Sequence, residues 1–348
     1  MITCLVTGVG GGGNGEQLVK ALRLSKNNYR VIGTDLTIAA ARQSNADICE
    51  ELPRASDPDY VDRLLAICRK YSVDALFPGS EPELWRIAED PAPLRAVVKL
   101  VAVNDLEVVQ ICSNKFATIE FLEKHRFPYP TTRLVKSAAD VQTIERFPVI
   151  IKPVRGGGSQ HVYVVQDSNE LSLLVSYLMR NFDEVIVQEY VGRADQEYTV
   201  GVLLDGDGRL LNSIALNRSI LSSLSNRIKV ANRTDRADLG EVLAVSSGIS
   251  QGRVAPFPEV REFCEKIALA LGAKFAINVQ CRLVDGKPYI FEINPRFSGT
   301  SSIRAMLGFN EPDLLIRQHI LGEEVAARFP YRYGTVLRGL HEILVDDA

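Results

Sequence analysis

Short apolar runs alternate with segments of helical spacing through the first hundred residues. The runs 2–6 and 29–35 are apolar enough for buried strands, and the segment 15–24 between them has the spacing of a helix. The alternation continues with predicted helices at 60–70 and 83–88 and predicted strands at 75–77 and 98–103. Such alternating units predict a parallel sheet covered by helices on both faces, a Rossmann-like layer that ends near Val109.

The middle of the chain carries a denser set of strands. A helix is predicted at 116–125, before Pro128 and Pro130 interrupt the pattern. The segments that follow are predicted strands at 148–153, 162–165, 185–190 and 197–204, with helices at 138–146 and 169–181. This block predicts a compact α+β module.

The last third begins with a polar stretch at 217–238, which we interpret as a loop or a mobile segment. An amphipathic helix is predicted at 259–271, and apolar strands at 275–283 and 289–294 are joined by a turn at Asp285 and Gly286. A final helix is predicted at 312–321. The core of this part is therefore expected to contain a strand hairpin.

Composition narrows the class of protein. The 348 residues are 46% hydrophobic, and 40 basic side chains against 43 acidic ones give a net charge of −3. Disorder and a strongly basic nucleic-acid surface are therefore not expected, and the length predicts two or three domains. No apolar run approaches the roughly 18–20 residues that span a bilayer, and the N-terminus lacks the basic start of a signal peptide. Six separated cysteines without a CxxC pair favour reduced thiols, so we expect a cytoplasmic enzyme with no membrane partner.

A run of glycines follows the first predicted strand. Residues 8–13 fit the G-x-G-x-x-G pattern, and Asp35 ends the next strand, as in dinucleotide-binding folds. Four consecutive glycines satisfy many patterns, however, and a tight turn between strand and helix explains them as well. We favour a turn or a small-ligand loop, which makes Gly10, Gly11 and Gly12 candidate substrate contacts.

The predicted hairpin near the C-terminus gathers oxygen ligands. Glu292 and Asn294 are two apart on one strand and share a face. Gln280 joins that face if the loop has an odd number of residues, as a three-residue loop at 284–286 would. One carboxylate and two amide oxygens would then suit Mg²⁺, which completes its shell with substrate phosphates. A solvated strand and a simple turn explain each residue singly, but not their convergence with Arg296.

A second group of residues suits a nucleotide. Lys152 ends a strand before Gly156, Gly157, Gly158 and Ser159, and a charge beside a row of backbone N–H groups can hold polyphosphate. The ordinary alternative is a hairpin loop with an exposed lysine. The backbone of 188–191 ends a strand where an adenine could bind, and Glu197 could accept the hydroxyls of a ribose.

Taken in order, these motifs resemble the ATP-grasp superfamily, most closely the ATP-binding units of the carbamoyl-phosphate synthetase large subunit and related carboxylate–amine ligases. The segments that carry the resemblance are Asn114-Lys115, 148–153, the glycine loop, 188–191, 197–200, 278–280 and 291–299. It implies an α/β and α+β architecture over nearly the whole chain, to about residue 322. The implied parts are a Rossmann-like pre-ATP-grasp domain at 1–112, an N-terminal ATP-grasp part at 113–205 with a lid at about 152–205, and an antiparallel-sheet catalytic core at 206–348.

The resemblance also implies a role for each motif. Lys115 and Lys152 would contact the phosphates of ATP, and the glycine loop would close over them. Glu189, Tyr190 and Val191 would meet the adenine, and Glu197 would hold the ribose. Gln280, Glu292 and Asn294 match ligands of two Mg²⁺ ions, with Mn²⁺ as a substitute. Arg296 and Asn278 match groups that face the transferred phosphoryl.

The implied reaction is ADP-forming ligation of a small carboxylate, with an amino acid as first expectation, to an amine through an acyl phosphate. Carbamoyl-phosphate synthetase holds two such units and carries a second arginine three places after the one matching Arg296, where this chain has Gly299. Both departures favour a bulkier carboxylate. They leave Arg304 and the stretch 217–236 as candidates for recognition of the acceptor, although a solvated loop is favoured for most of that stretch. The resemblance is compatible with a homodimer.

Three alternatives stay open on the sequence. The same fold could activate bicarbonate for a carboxylation or act in the manner of carbamoyl-phosphate synthetase. A nucleotide-binding regulatory protein would need no chemistry, although the intact set of Gln280, Glu292 and Asn294 argues against it. A dinucleotide oxidoreductase would depend on the N-terminal glycines.

Overall fold

The computed structural model describes residues 1–339, so the end of the expected catalytic core, 340–348, lies outside the described residues. Five strands of the first hundred residues form one parallel sheet in the order β3-β2-β1-β4-β5. Its elements are β1 (Thr3–Thr7), α1 (Asn14–Arg23), β2 (Arg30–Asp35), α2 (Ile38–Ala41), β3 (Ile48–Glu51), α3 (Tyr60–Tyr71), β4 (Ala75–Phe77), α4 (Glu81–Glu89), α5 (Ala92–Arg95) and β5 (Leu100–Val101). The predicted parallel layer is confirmed, with α2 and β3 added to it.

A four-stranded antiparallel sheet forms the second part. After α6 (Leu106–Ser113) and α7 (Lys115–Lys124) come β6 (Thr132–Val135), a 3₁₀ turn (Ala138–Val141), β7 (Val149–Pro153), β8 (Tyr163–Val165), α8 (Ser168–Leu178) and β9 (Val185–Glu189). The strand order is β6-β9-β7-β8, so this sheet includes β6, which lies before the expected start of the lid at about 152. The prediction of a helix at 138–146 is wrong, because only the short 3₁₀ turn Ala138–Val141 forms there.

A six-stranded antiparallel sheet forms the core, in the order β16-β15-β10-β11-β14-β17. Its elements, with a separate hairpin of β12 and β13, are a 3₁₀ turn (Ala194–Gln196), β10 (Glu197–Leu204), β11 (Leu210–Arg218), β12 (Asn226–Ala231), a 3₁₀ turn (Ala237–Leu239), β13 (Val242–Ser246), β14 (Gly252–Val254), α9 (Pro258–Ala270), β15 (Ala276–Val284), β16 (Lys287–Asn294), α10 (Ser301–Met306), α11 (Glu311–His319) and β17 (Gly334–Val336). The expected α/β and α+β architecture is confirmed. β10, expected within the lid, instead pairs with β11 and β15 of the core.

Apolar spacing explains why α9 covers this sheet. Val260, Cys264, Ile267 and Ala268 recur at intervals of three and four and are fully buried against the same cluster as β10 and β15.

No helix within residues 1–339 combines the length and the apolar character needed to cross a membrane.

The polar stretch at 217–238 differs from its prediction. It is not one loop, since it contains the end of β11 and all of β12, which pairs with β13 in a two-stranded hairpin. The positions of β12 are exposed or half-buried, so this strand lacks the buried apolar face that makes a strand recognisable in a sequence.

The turn between β15 and β16 also differs in detail. Val284 pairs with Lys287, so the loop has two residues, Asp285 and Gly286, with φ of 49° and 74° as a type I′ turn requires. That register alone would set Gln280 against Phe291, but a bulge next to Cys281 sets it against Glu292. The expected shared face therefore forms for a different reason.

Candidate active site

A cavity of about 930 Å³ lies where the carboxyl end of the parallel sheet, the glycine loop and the core sheet meet. It is large enough for a nucleotide and a second small molecule, since ligand pockets commonly measure about 300–1,000 Å³. The predicted residues that line it are Gly10, Gly11, Gly12, Lys115, Lys152, Gly156, Gly157, Gly158, Ser159, Glu189, Tyr190, Val191, Glu197, Asn278, Gln280, Glu292, Asn294 and Arg296. The structure thus brings together all the predicted site residues except Arg304.

Arg304 lies behind the cavity wall, which corrects its place as a substrate contact. Its side chain is 2% exposed, and it donates to Asn278 Oδ1 at 2.6 Å and to Glu311 Oε1 at 2.8 Å. Asn278 Oδ1 also accepts from Thr199 Oγ1 at 2.9 Å. Arg304 therefore positions Asn278 and does not reach the cavity itself.

The oxygen ligands stand on one face of β15 and β16. Gln280 pairs directly with Glu292, and Asn278 with Asn294, so side chains of all four lie side by side on the sheet. Glu292 and Asn294 offer a carboxylate and an amide oxygen, which fit a hard divalent cation that also binds phosphates. Gln280 differs from the expectation: its Oε1 accepts from Arg218 Nη1 at 3.1 Å, and its Nε2 donates to Glu292 Oε2 at 3.2 Å.

Lys152 is buried at the floor of the cavity. Its side chain is held by a hydrogen bond to Gln188 Oε1 at 3.0 Å, and Nζ lies 5.8 Å from the centre of the Phe291 ring. Burial, and then the charge of Lys115, lower its pKa to about 8, although Glu292 and Glu197 act in the opposite direction. A buried lysine next to another cation is a strong binding group for an anion.

The glycine loop is closed over the cavity. Lys115 Nζ donates to the carbonyl of Gly156 at 2.6 Å, and Ser159 Oγ donates to the carbonyl of Ser246 at 2.7 Å. Gly156 has φ of 115°. A Cβ atom on Gly157 would lie only 2.8 Å from a carboxylate oxygen of Glu81, so the loop approaches the N-terminal domain closely.

Arg296 joins the core to the N-terminal domain. Its Nη2 donates to Glu81 Oε1 at 2.6 Å and to Asn294 Oδ1 at 3.1 Å, while its Nε is buried without a partner. Burial acts to raise the pKa of Glu81, but the ion pair with Arg296 and the charge of Lys115 hold that pKa below its usual value. Arg296 therefore lines the cavity while its guanidinium is held against Glu81 and Asn294.

Two arginines that sequence reasoning missed flank Glu197. Arg282 is the partner of Glu197 in the register of β10 and β15, and Arg218 ends β11 on the other side. Glu197 accepts from Arg218 Nη1 at 3.1 Å and from Arg282 Nη2 at 3.2 Å, and all three side chains are at most 7% exposed. A carboxylate has about four lone-pair sites, so room for a hydroxyl donor is left. The signal in the sequence that could have identified Arg218 is its position as a charged residue at the end of the apolar strand β11.

The side of the cavity at which an adenine is expected is built from the end of β9 and the hairpin of β12 and β13. Tyr190 Oη accepts from the N–H of Ala244 at 2.8 Å, and the Arg282 guanidinium lies 4.5 Å from the centre of the Tyr190 ring. Glu189 forms ion pairs with Arg146 at 3.6 Å and Arg236 at 3.7 Å. The side chains of this segment are thus held by protein contacts, which leaves its backbone to face the cavity.

The N-terminal glycine loop also lines the cavity. The N–H of Gly10 donates to Asp35 Oδ2 at 2.7 Å, and the N–H of Gly11 donates to Gln43 Oε1 at 2.7 Å. Gly11 and Gly12 have φ of 71° and 74°, which favour glycine. These bonds fit a tight turn, in which Asp35 serves the loop itself.

Comparison with known proteins agrees with this arrangement. The pattern of the ATP-grasp domain matches residues 112–300, and that of the PylC-like N-terminal domain matches residues 5–97. The carbamoyl phosphate synthase large chain of Archaeoglobus fulgidus is 24% identical over 202 residues, 57% of this chain and 17% of the relative. That of Thermoplasma acidophilum is 23% identical over 261 residues, 71% of this chain and 23% of the relative. The chain thus spans less than a quarter of these relatives.

Solved structures share the fold. An L-amino acid ligase from Bacillus licheniformis superposes with a TM-score of 0.63 and 18% identity, over 92% of this chain and 74% of that one. An ADP complex of N5-carboxyaminoimidazole ribonucleotide synthetase gives a TM-score of 0.65 and 17% identity, over 95% and 80%. At these identities the likeness concerns the fold.

Proposed function

The chain belongs to the ATP-grasp family, and from that premise we propose that it is an ATP-dependent, ADP-forming ligase. It activates a small carboxylate, with an amino acid as first candidate, as an acyl phosphate and joins it to an amine. The observation that carries the proposal is one cavity in which Lys115, Lys152 and the glycine loop face Glu292, Asn294 and Arg296.

ATP fits this cavity with its phosphates toward the two lysines. The backbone of 189–191 receives the adenine, and Glu197, held between two arginines, receives the ribose. The N–H groups of the glycine loop, freed by its glycines, cover the phosphates. The roles expected from the resemblance are therefore proposed here for Glu189, Tyr190, Val191 and Glu197.

Mg²⁺ is the proposed metal, and Glu292 and Asn294 are the residues that would hold it. A bound Mg²⁺ neutralises phosphate charge and aligns the phosphates for in-line transfer. The expectation of two ions, or of Mn²⁺ in their place, included Gln280 as a ligand, and Gln280 is engaged otherwise.

The cations of the site address the main barrier to the reaction. A carboxylate that attacks a γ-phosphate brings two anions together, and unit charges 4 Å apart interact by about 4 kcal/mol at the effective dielectric of a protein surface. Lys115, Lys152 and Arg296 supply positive charge around that position, and the charges are fixed before the substrates arrive. The carboxylate forms a bond to phosphorus as ADP leaves, and the amine then displaces phosphate from the acyl phosphate.

The glycine loop protects this intermediate from water. Its contacts with Lys115, Ser246 and Glu81 close the cavity on the lid side. We propose that the carboxylate and the amine bind toward Gly10, Gly11 and Gly12, which line the same cavity. The domain limits at 112 and 205, cytoplasmic location and homodimer stay predictions.

The test is a substrate array with the full chain. MgATP is incubated with pools of amino acids and amines, and ADP and phosphate are measured together; bicarbonate without another carboxylate forms a separate arm. Turnover that requires a carboxylate supports the ligase, whereas turnover with bicarbonate alone indicates a carboxylase. Glu292→Ala should abolish turnover, and the exposed Glu120→Ala, outside the cavity, should not. Undiminished turnover in Glu292→Ala would contradict the assigned site.

A further inference from the structure

We infer that the site binds a single divalent cation with the nucleotide, and that the guanidinium of Arg218 supplies the positive charge for which two metal ions were expected. The inference rests on the proposed binding of ATP, and it concerns a residue that the sequence motifs did not include. Arg218 lines the cavity beside Gln280 and Glu197.

The neighbours of Gln280 fix the orientation of its amide. Arg218 is only a donor, so the group 3.1 Å from its Nη1 must be the amide oxygen. Glu292 is an acceptor when ionised, so the group 3.2 Å from its Oε2 must be the amide nitrogen. A flipped amide would set donor against donor and acceptor against acceptor. The oxygen of Gln280 is therefore turned away from Glu292 and from a metal bound there.

Arg218 itself has little freedom to leave. Its side chain is 3% exposed, and besides Glu197 and Gln280 it donates to Ser246 Oγ at 2.9 Å and to the carbonyl of Ser247 at 2.7 Å. Its position follows from the sheet, because Arg218 ends β11 next to Glu197 on β10. The guanidinium is thus a fixed part of the cavity wall.

The remaining anionic oxygens suffice for one ion. Glu197 is neutralised by Arg218 and Arg282, and Glu81 is paired with Arg296. Glu292 is then the carboxylate left on the metal face, and within residues 1–339 no three His, Cys, Asp or Glu side chains gather into a metal site. One carboxylate and the Asn294 amide match the few protein ligands that Mg²⁺ uses when phosphates complete its shell.

Arg218 also brings positive charge to the ligand. Its side chain borders the cavity, although its Nε is closed off from it. The guanidinium therefore acts on the phosphates of a nucleotide through its charge. Arg218 thus does two things at once: it engages Gln280 and offers charge to the phosphates.

The test counts ions on the full chain. Mn²⁺ binding is measured by the loss of the free-ion paramagnetic resonance signal, with the non-hydrolysable ATP analogue AMP-PNP at saturation. One Mn²⁺ per bound nucleotide in the wild type is expected, and two would overturn the inference. Chains that bind no AMP-PNP with any ion would instead refute the proposed function, so the two failures are distinguishable.

Arg218→Met removes the charge while keeping the length of the side chain. AMP-PNP at one equivalent of Mn²⁺ should then bind about tenfold more weakly or worse, because the positive charge that acts on the phosphates is lost. Affinity within twofold of the wild type would overturn the role given to Arg218. Arg227→Met, an exposed position outside the cavity, is the matched control and should keep both ion count and affinity. If Arg218→Met does not fold, the wild-type ion count decides alone.

Discussion

Nucleotide binding should be coupled to the uptake of a proton by Lys152, because this lysine has a lowered pKa in the free protein. Burial and the charge of Lys115 lower that pKa to about 8, against about 10.4 for a free lysine. The difference corresponds to a free-energy cost of about 3 kcal/mol for keeping Lys152 protonated in the empty cavity. Phosphates of the nucleotide supply the missing negative charge and move the pKa back up.

The size of the uptake follows from this pKa. In the free protein Lys152 is about half protonated at pH 8, about nine tenths at pH 7 and about one tenth at pH 9. If the bound form is fully protonated, binding takes up about half a proton at pH 8 and about nine tenths at pH 9. Affinity is then flat below pH 8 and falls as the pH rises above it. Phosphate groups themselves titrate near pH 6 and add little here.

Isothermal titration calorimetry measures this uptake directly. MgATP is titrated without a carboxylate substrate, at each pH in two buffers that differ in ionisation enthalpy, and the difference in heat gives the protons exchanged. Lys152→Arg should abolish the uptake, since arginine stays charged throughout this range. Lys124→Arg, at an exposed position on α7, should preserve it. Uptake that does not grow between pH 7 and pH 9 would refute the assignment of Lys152 to the phosphates.

Two further substitutions separate closure of the lid from support of the site. Gly157→Ala places a methyl group 2.8 Å from the Glu81 carboxylate, so steady-state turnover should fall by about tenfold or more with an unchanged thermal midpoint. Gly334→Ala, which meets no neighbour, is the control. Full activity in Gly157→Ala would argue against a closed lid. Arg304→Met leaves the fully buried Glu311 without its ion pair and should destabilise folding by about 3–5 kcal/mol in denaturant titrations. Unchanged stability with weakened amino-acid binding would instead return Arg304 to the substrate site.

The elements that a sequence exposes are those whose pattern is local. Strands β1, β7, β10 and β15 were predicted because their apolar runs are buried and bounded by turns. The hairpin of β12 and β13 was missed because every position of β12 is exposed or half-buried, so no buried apolar run marks the strand. The lysines and glycines that line the cavity were recognisable for the same local reason, since each motif occupies a few consecutive residues.

Partners on different strands were out of reach of the sequence. Arg218 and Arg282 meet Glu197 because β10 lies between β11 and β15, an order that no local pattern states. The face shared by Gln280 and Glu292 depends on a bulge next to Cys281, which changes the register by one residue. Gln280 and Glu292 therefore share the expected face because of the bulge and not because of an odd-numbered loop. The orientation of the Gln280 amide depends on Arg218, a residue on another strand.

The contacts that close the lid are also contacts that ATP can replace. Lys115 Nζ donates to the Gly156 carbonyl at 2.6 Å, and the phosphates need that same ammonium. A neutral hydrogen bond contributes about 0.5–1.5 kcal/mol net and one from a charged group about 1.5–3 kcal/mol, so releasing the bonds of Ser159 and Lys115 requires about 2–4.5 kcal/mol. A phosphate that takes Lys115 restores the interaction in a stronger, charge-assisted form. Opening is therefore accessible while the site is empty, and the N–H groups of the glycine loop, which the proposal sets against the phosphates, favour closure once the nucleotide is bound.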